Sequence, residues 1–333
     1  MPPDDDTTTN VSRREQRARR RRIWRRSLIA GVAVAVLAGG TAFALTDPLR
    51  SDSGDSASRS SSGTSVPTSG TSGTASVQTC RAALNPADPL RLWIGGDSLA
   101  GSLGPSLGQR AGSTGVVQPV LDSRVSSGLL SPDFVNWPQQ GADDMSLYNP
   151  EVTVFIVGAN DAKNLPDGAT RDPGWRAQYS ALVEEMFTVI GGNGRAVYWV
   201  GAPVMADATY SERVQGVNDV FREVAAKHSD VTYVDAYTLF SAPDGTYASM
   251  LPVPGGKVAR VRGADGIHLT PEGGDLLAET VFERLDPACR ITEQAVPGAV
   301  KATIEAPGSS SVPGSRRGAP TATTRSTTGN SRR

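Results

Sequence analysis

The sequence predicts an α/β fold, a parallel sheet with helices on both faces. Between residues 80 and 290, five short apolar runs rich in β-branched residues recur. Each is nearly continuous in apolar character, as strands buried on both faces are. Helix-length segments lie between them, and strands alternating with helices make a parallel sheet. A third observation bounds the domain: every tryptophan except Trp24 falls between Arg81 and Cys289.

The elements follow in order. Leu90–Ile94 is the first strand. It ends at Gly95-Gly96 and hands over to a Ser, Gly and Leu segment that reads as a helix. Val116–Leu121 is the second strand and Val152–Val157 (VTVFIV) the third. Arg176–Ile190 is a helix, with Tyr179, Leu182, Met186 and Ile190 about one turn apart. Ala196–Val200 is the fourth strand. Tyr210–Lys227 is a helix with Val214, Val217, Val220, Phe221 and Val224 on one stripe. Val231–Val234 is the fifth strand. Pro271–Leu285 is the last helix, with Thr270 at its N-cap and Pro271 in its first turn.

The flanks differ in kind. Residues 1–26 carry nine arginines, all between Arg13 and Arg26, and read as a basic cytoplasmic arm. Residues 27–46 hold no charge. At 1.5 Å per residue they extend about 30 Å, enough to cross a bilayer core as a transmembrane helix. The arginine block then sets the N-terminus inside and the remainder outside. Arg25-Arg26 and Ala42-Phe43-Ala44 leave open a cleaved signal and a secreted product. Either way the main domain, residues 80–290, is exported. Residues 47–79 and 291–333 are Ser-, Gly- and Thr-rich and read as a disordered linker and a disordered tail. Cys80 and Cys289 bracket the domain, and in an exported protein such a pair reads as a disulfide. Lys and Arg number 15 and Asp and Glu 25 between residues 80 and 289, so the domain is near −10. That balance argues against a nucleic-acid partner, which needs a basic face.

The chemistry gathers around Ser98, in Gly96-Asp97-Ser98-Leu99 at the end of the first strand. Ligands bind beyond the carboxyl ends of strands in open α/β sheets. A serine hydroxyl is a weak nucleophile until a base takes its proton, and histidine suits that task. Only His228 and His268 are present; His228 reads as a surface residue at a helix end. Asp265 stands three residues before His268, close enough in a turn to fix the imidazole. An acyl-transfer intermediate also needs oxyanion donors. Candidates are the N–H of Ser98, the N–H of Gly128 and the side-chain amide of Asn160 in Gly158-Ala159-Asn160-Asp161.

Other patterns fail. Residue 100 is Ala, so G-x-S-x-G is absent, and no serine precedes a lysine by three. Two His and two Cys make no H-E-x-x-H or zinc cluster. No cysteine- or histidine-based metal cluster is expected.

Residues 90–287 resemble an SGNH (GDSL-type) hydrolase domain. Gly96–Leu99 matches its first block, Gly128 the glycine of the second, Gly158–Asp161 the third and Asp265–His268 the fifth. The resemblance implies a flavodoxin-like three-layer α/β/α fold and no metal or other cofactor, with Ser98 as nucleophile, His268 as base and Asp265 as its orienter. Ser98, Gly128 and Asn160 would form the oxyanion hole. Residues 126–138, with Trp199–Pro203, are similar to a bacterial subfamily near the exported SGNH domains of polysaccharide O-acylation systems.

The expected function is therefore a membrane-tethered serine esterase acting on a short, acetyl-like acyl ester, with an acylated cell-envelope glycan as a candidate substrate. An O-acyltransferase using the same serine stands beside it, as does a non-catalytic envelope-binding module. Arg124, Trp137, Tyr148, Trp199 and Arg262 fall near the motif loops as candidate pocket residues.

Overall fold

The structure, a computed structural model, describes residues 80–296 and 298–310. The expected arm 1–26, membrane span 27–46, linker 47–79 and the end of the tail lie outside the described residues. Among the described residues no helix is long and apolar enough to cross a membrane.

The strands are β1 Leu90–Gly96, β2 Val117–Ser123, β3 Val152–Ile156, β4 Ala196–Val200, β5 Val231–Val234, β6 Met250–Pro252, β7 Val258–Arg260 and β8 Ile304–Glu305. Six of them form one sheet in the order β5-β4-β3-β1-β2-β8, parallel at every pairing. β6 and β7 make a separate antiparallel hairpin. The first five strands thus take the flavodoxin-like order, with the switch point between β1 and β3.

Seven α-helices complete the described chain: α1 Ser98–Gly112, α2 Trp137–Tyr148, α3 Ala159–Lys163, α4 Pro173–Gly191, α5 Ala208–Ala225, α6 Ala236–Leu239 and α7 Pro271–Cys289. α1 packs against α7, and α4 packs against both α2 and α5. Each of these five helices begins on an Asp, Asn or Thr whose side chain accepts an N–H of its first turn. Between the sheet and the α4 and α5 face sits an aromatic cluster. Phe155 contacts Trp93, Trp137 and Trp199, and Trp199 in turn contacts Phe187 and Phe221, with centroids 4.8–5.9 Å apart.

The folded part runs past Arg290, which corrects the expectation of a disordered tail from residue 291. Ile291 is fully buried. The backbone of residues 298–310 then crosses the β2 side of the sheet, where Ile304–Glu305 pairs in parallel with β2. This segment is attached through main-chain bonds, among them Lys301 N–H to Gly112 O and Ala306 N–H to Leu121 O. Composition hides such a strand, because it covers an exposed sheet edge without adding a strong apolar run.

Cys80 and Cys289 are bridged, with Cα atoms 4.7 Å apart. In the chain-entropy picture so long a loop is worth at most about 5 kcal/mol. Alkylation of the native oxidised protein should find no thiol in this domain. Reduction should expose two and lower the melting temperature. Free thiols before reduction would exclude the bridge.

Candidate active site

The turn after β1 is built by glycine. Gly96 has φ +138°, and a Cβ there would lie 2.0 Å from the carbonyl oxygen of Ile156 on β3. Only glycine lets β1 press so close to β3 and then turn into α1. Asp97 caps α1 by accepting the Leu99 N–H at 2.8 Å. Ser98 is therefore the first helical residue, at the carboxyl edge of the sheet and 6% exposed.

His268 and Asp265 arrive on the loop before α7. His268 Nε2 lies 2.9 Å from Ser98 Oγ, and His268 Nδ1 lies 2.6 Å from Asp265 Oδ2. The other oxygen of Asp265 accepts the N–H groups of Ile267 (3.0 Å) and His268 (3.1 Å). Partial burial pushes this carboxyl up. The bond from the imidazole and the two N–H donors outweigh that and bring it down to about 2. Asp265 thus stays ionised beside the imidazole. His228 is elsewhere: its Nε2 is 2.6 Å from Glu184 Oε2 and its ring stands edge-on to Phe187.

Two backbone donors remain open. Among the described residues neither the Ser98 N–H nor the Gly128 N–H has an acceptor. The Asn160 amide is engaged, donating to Ser127 O at 2.9 Å and to Asp97 Oδ2 at 3.2 Å. It thereby links the residue before Ser98 to the residue before Gly128. This differs from an amide left free for an oxyanion, and the longer bond to Asp97 is the one available for exchange.

Several supporting residues are invisible in the sequence. Asp161 is buried and accepts the N–H groups of Leu129 (3.0 Å) and Leu130 (2.8 Å) and the Tyr179 hydroxyl (2.8 Å). A Cβ on Gly128 would sit 2.4 Å from Asp161 Oδ1, so the glycine leaves room for the carboxylate that holds its own loop. Trp137, a candidate pocket residue, is instead buried, and its Nε1–H donates to Ser127 Oγ at 3.0 Å. Arg262 is fully buried too. It donates to the carbonyls of Val204, Gly266 and Ile267 and so braces the His268 loop. Trp199 is core, Tyr148 packs half-buried against the core, and Arg124 pairs with Asp122 and the Pro307 carbonyl. Trp137, Trp199 and Arg262 are thus buried within loops and core, whereas Tyr148 and Arg124 are partly exposed.

Burial raises the Asp97 carboxyl to about 7. The Leu99 N–H opposes this, the Asp161 charge adds to it, and the Asn160 amide opposes it again. Burial also raises Asp144 on α2 to about 7, reinforced by a shared hydrogen bond with Asp122 and by its charge. Trp93 Nε1–H and Gln140 oppose the rise. Both groups bind protons more tightly folded than unfolded. Their contribution is full below about pH 4 and is lost as pH rises through 7. Melting temperature should therefore fall between pH 5 and pH 8, and Asp144→Asn should flatten that slope. Parallel profiles for the two proteins would exclude Asp144 as a source.

The parallel sheet, the motif blocks at its carboxyl edge and the linked Ser–His–Asp chain define an SGNH-hydrolase-like α/β protein. The chain belongs to the DUF459 family, described as "Protein of unknown function", which matches residues 91–284. No curated protein matches it. Among solved structures, a GDSL-like lipase from Bacteroides thetaiotaomicron is 14% identical, with 60% of this chain and 88% of that chain covered and a TM-score of 0.43. An acetyl xylan esterase is 16% identical, covering 58% and 98%, with a TM-score of 0.41. An alpha/beta hydrolase enzyme from the metagenome of Lake Arreo is 14% identical, covering 59% and 95%, with a TM-score of 0.43.

Proposed function

We propose that this protein is an exported serine esterase that cleaves a short acyl ester through an acyl-enzyme, tethered to the cell envelope by residues 27–46. The observation that carries the reading is the unbroken chain from Ser98 Oγ through His268 to Asp265, at 2.9 and 2.6 Å. His268 Nε2 takes the hydroxyl proton as Ser98 Oγ bonds to the ester carbonyl carbon. Asp265 stabilises the imidazolium. The carbonyl oxygen gains charge beside the N–H groups of Ser98 and Gly128. The Asn160 amide joins them by giving up its longer bond to Asp97. Collapse breaks the bond to the alcohol, which leaves with the proton from His268. Water, deprotonated by the same imidazole, then releases the acid and restores Ser98.

The openness of the site supports a small acyl group on a large alcohol: the side chains of His268 and Asp265 are 30% and 47% exposed. Such a site suits acetyl groups on a cell-envelope glycan. The test is a series of acyl esters from acetyl to octanoyl, together with labelling by a fluorophosphonate probe. Labelling of Ser98 and fastest turnover of the acetyl ester are expected. Absence of labelling in folded protein would leave only a binding role.

A further inference from the structure

A second site lies at the opposite edge of the sheet. β1 begins there with Leu90-Arg91, and its seven residues put that edge about 20 Å from Ser98. A cavity of about 300 Å³ opens between the starts of β1, β3 and β4. Three arginines line it, Arg81, Arg91 and Arg195, and one acid, Glu151. On a domain of net charge near −10, such a local excess of guanidinium is unusual.

The charges on its wall do not balance. Glu151 already serves two arginines. Its Oε1 accepts Arg81 Nε at 2.7 Å, and its Oε2 accepts the Arg91 N–H at 3.1 Å with Arg91 Nη2 3.5 Å away. Arg81 takes a second acid, Asp88. Arg195 takes none: it is 7% exposed, and among the described residues no carboxylate lies within ion-pair distance of it. Its Nε and Nη1 donate to the carbonyls of Pro150 and Gly192, which orient the guanidinium without neutralising it. Burial lowers the Arg195 pKa, the mark of a charge without a counter-charge. A buried cation in that condition is costly unless an anion completes it.

We propose that the cavity walled by Arg91 and Arg195 binds a phosphoryl group, as a phosphate monoester or diester. Guanidinium groups present paired N–H donors suited to phosphate oxygens. Arg91 on β1 and Arg195 before β4 line the same cavity from the two strands that flank β3. Cys80 also lines the cavity. Cys80 is the first of the described residues. A phosphoryl group there can belong to an anionic lipid headgroup or to a phosphodiester polymer of the envelope. The proposal is independent of the esterase reading.

The experiment titrates the full chain with inorganic phosphate, against chloride at equal ionic strength, and follows melting temperature and binding heat. Phosphate should raise the melting temperature of the wild type beyond the chloride control. Arg195→Gln and Arg91→Gln should each weaken phosphate binding by about tenfold or more, as expected for loss of a charge-assisted pair. Ester hydrolysis should be unchanged in both. If Arg195→Gln does not fold, Arg91→Gln decides, because that side chain is 39% exposed. Stronger sedimentation with phosphatidylglycerol than with phosphatidylcholine vesicles, reduced by Arg91→Gln in a chain whose arm and span are unchanged, would assign the lipid source. Binding to poly(glycerol phosphate) would assign the polymer. Equal responses to phosphate and chloride, or equal phosphate affinity in the wild type and a folded variant, overturn the proposal.

Discussion

Replacing His268 by alanine should lower ester hydrolysis by about 10⁶-fold, as when the base of a serine triad is removed. The loss is large because two roles vanish together. Ser98 Oγ loses the only imidazole within hydrogen-bond distance, and the leaving alcohol loses its proton donor. His228→Ala is the control. That residue pairs with Glu184 and stacks edge-on against Phe187, so its removal should cost a little stability and leave turnover per folded molecule unchanged. Asp265→Ala should fall between them. It removes the carboxylate that orients the ring, yet leaves the base in place. Comparable losses from the two histidine variants would mean that the Ser98–His268 bond is not used in the reaction.

Much of this site was legible because its chemistry is concentrated in short blocks. Ser98 follows an apolar run ended by two glycines, and Asp265 and His268 lie within four residues of each other. A local pattern can mark a candidate nucleophile and a candidate base–orienter pair, which the structure brings within hydrogen-bond distance. The four central strands, β1 to β4, were legible for a related reason: burial on both faces forces an almost unbroken apolar run. β8 was not, because two residues held by main-chain bonds leave no such run.

The braces escaped notice for a different reason. Asp161 supports residues 31 and 32 positions away, Trp137 meets Ser127, and Arg262 reaches back to Val204 across 58 positions. Each carries a functional loop through a partner that only the tertiary fold supplies. A polar or aromatic residue near a motif therefore reads equally well as pocket wall or as strut. Here burial decides for the strut at Trp137 and Arg262.

Asn160 separates a working oxyanion site from a structural turn. In the resting structure its amide is bound to Ser127 O and Asp97, so its removal has two consequences that can be measured apart. If the amide exchanges its 3.2 Å bond to Asp97 for the oxyanion, the new bond exists only as charge develops. Asn160→Ala should then lower kcat by about 10²- to 10³-fold with little change in KM. The second consequence is electrostatic. The amide helps hold the Asp97 carboxyl down against burial, so without it that pKa, already raised to about 7, rises further. A buried carboxyl with a higher folded pKa loses more stability on ionising, and the variant's thermal deficit should widen as pH climbs through 7. The kinetic loss should persist at pH 6, where Asp97 is mostly protonated and the structural penalty is smallest. If kcat at pH 6 instead returns to the wild-type value in a variant that is merely less stable at high pH, Asn160 is a turn residue. Oxyanion binding would then fall to the Ser98 and Gly128 N–H groups alone.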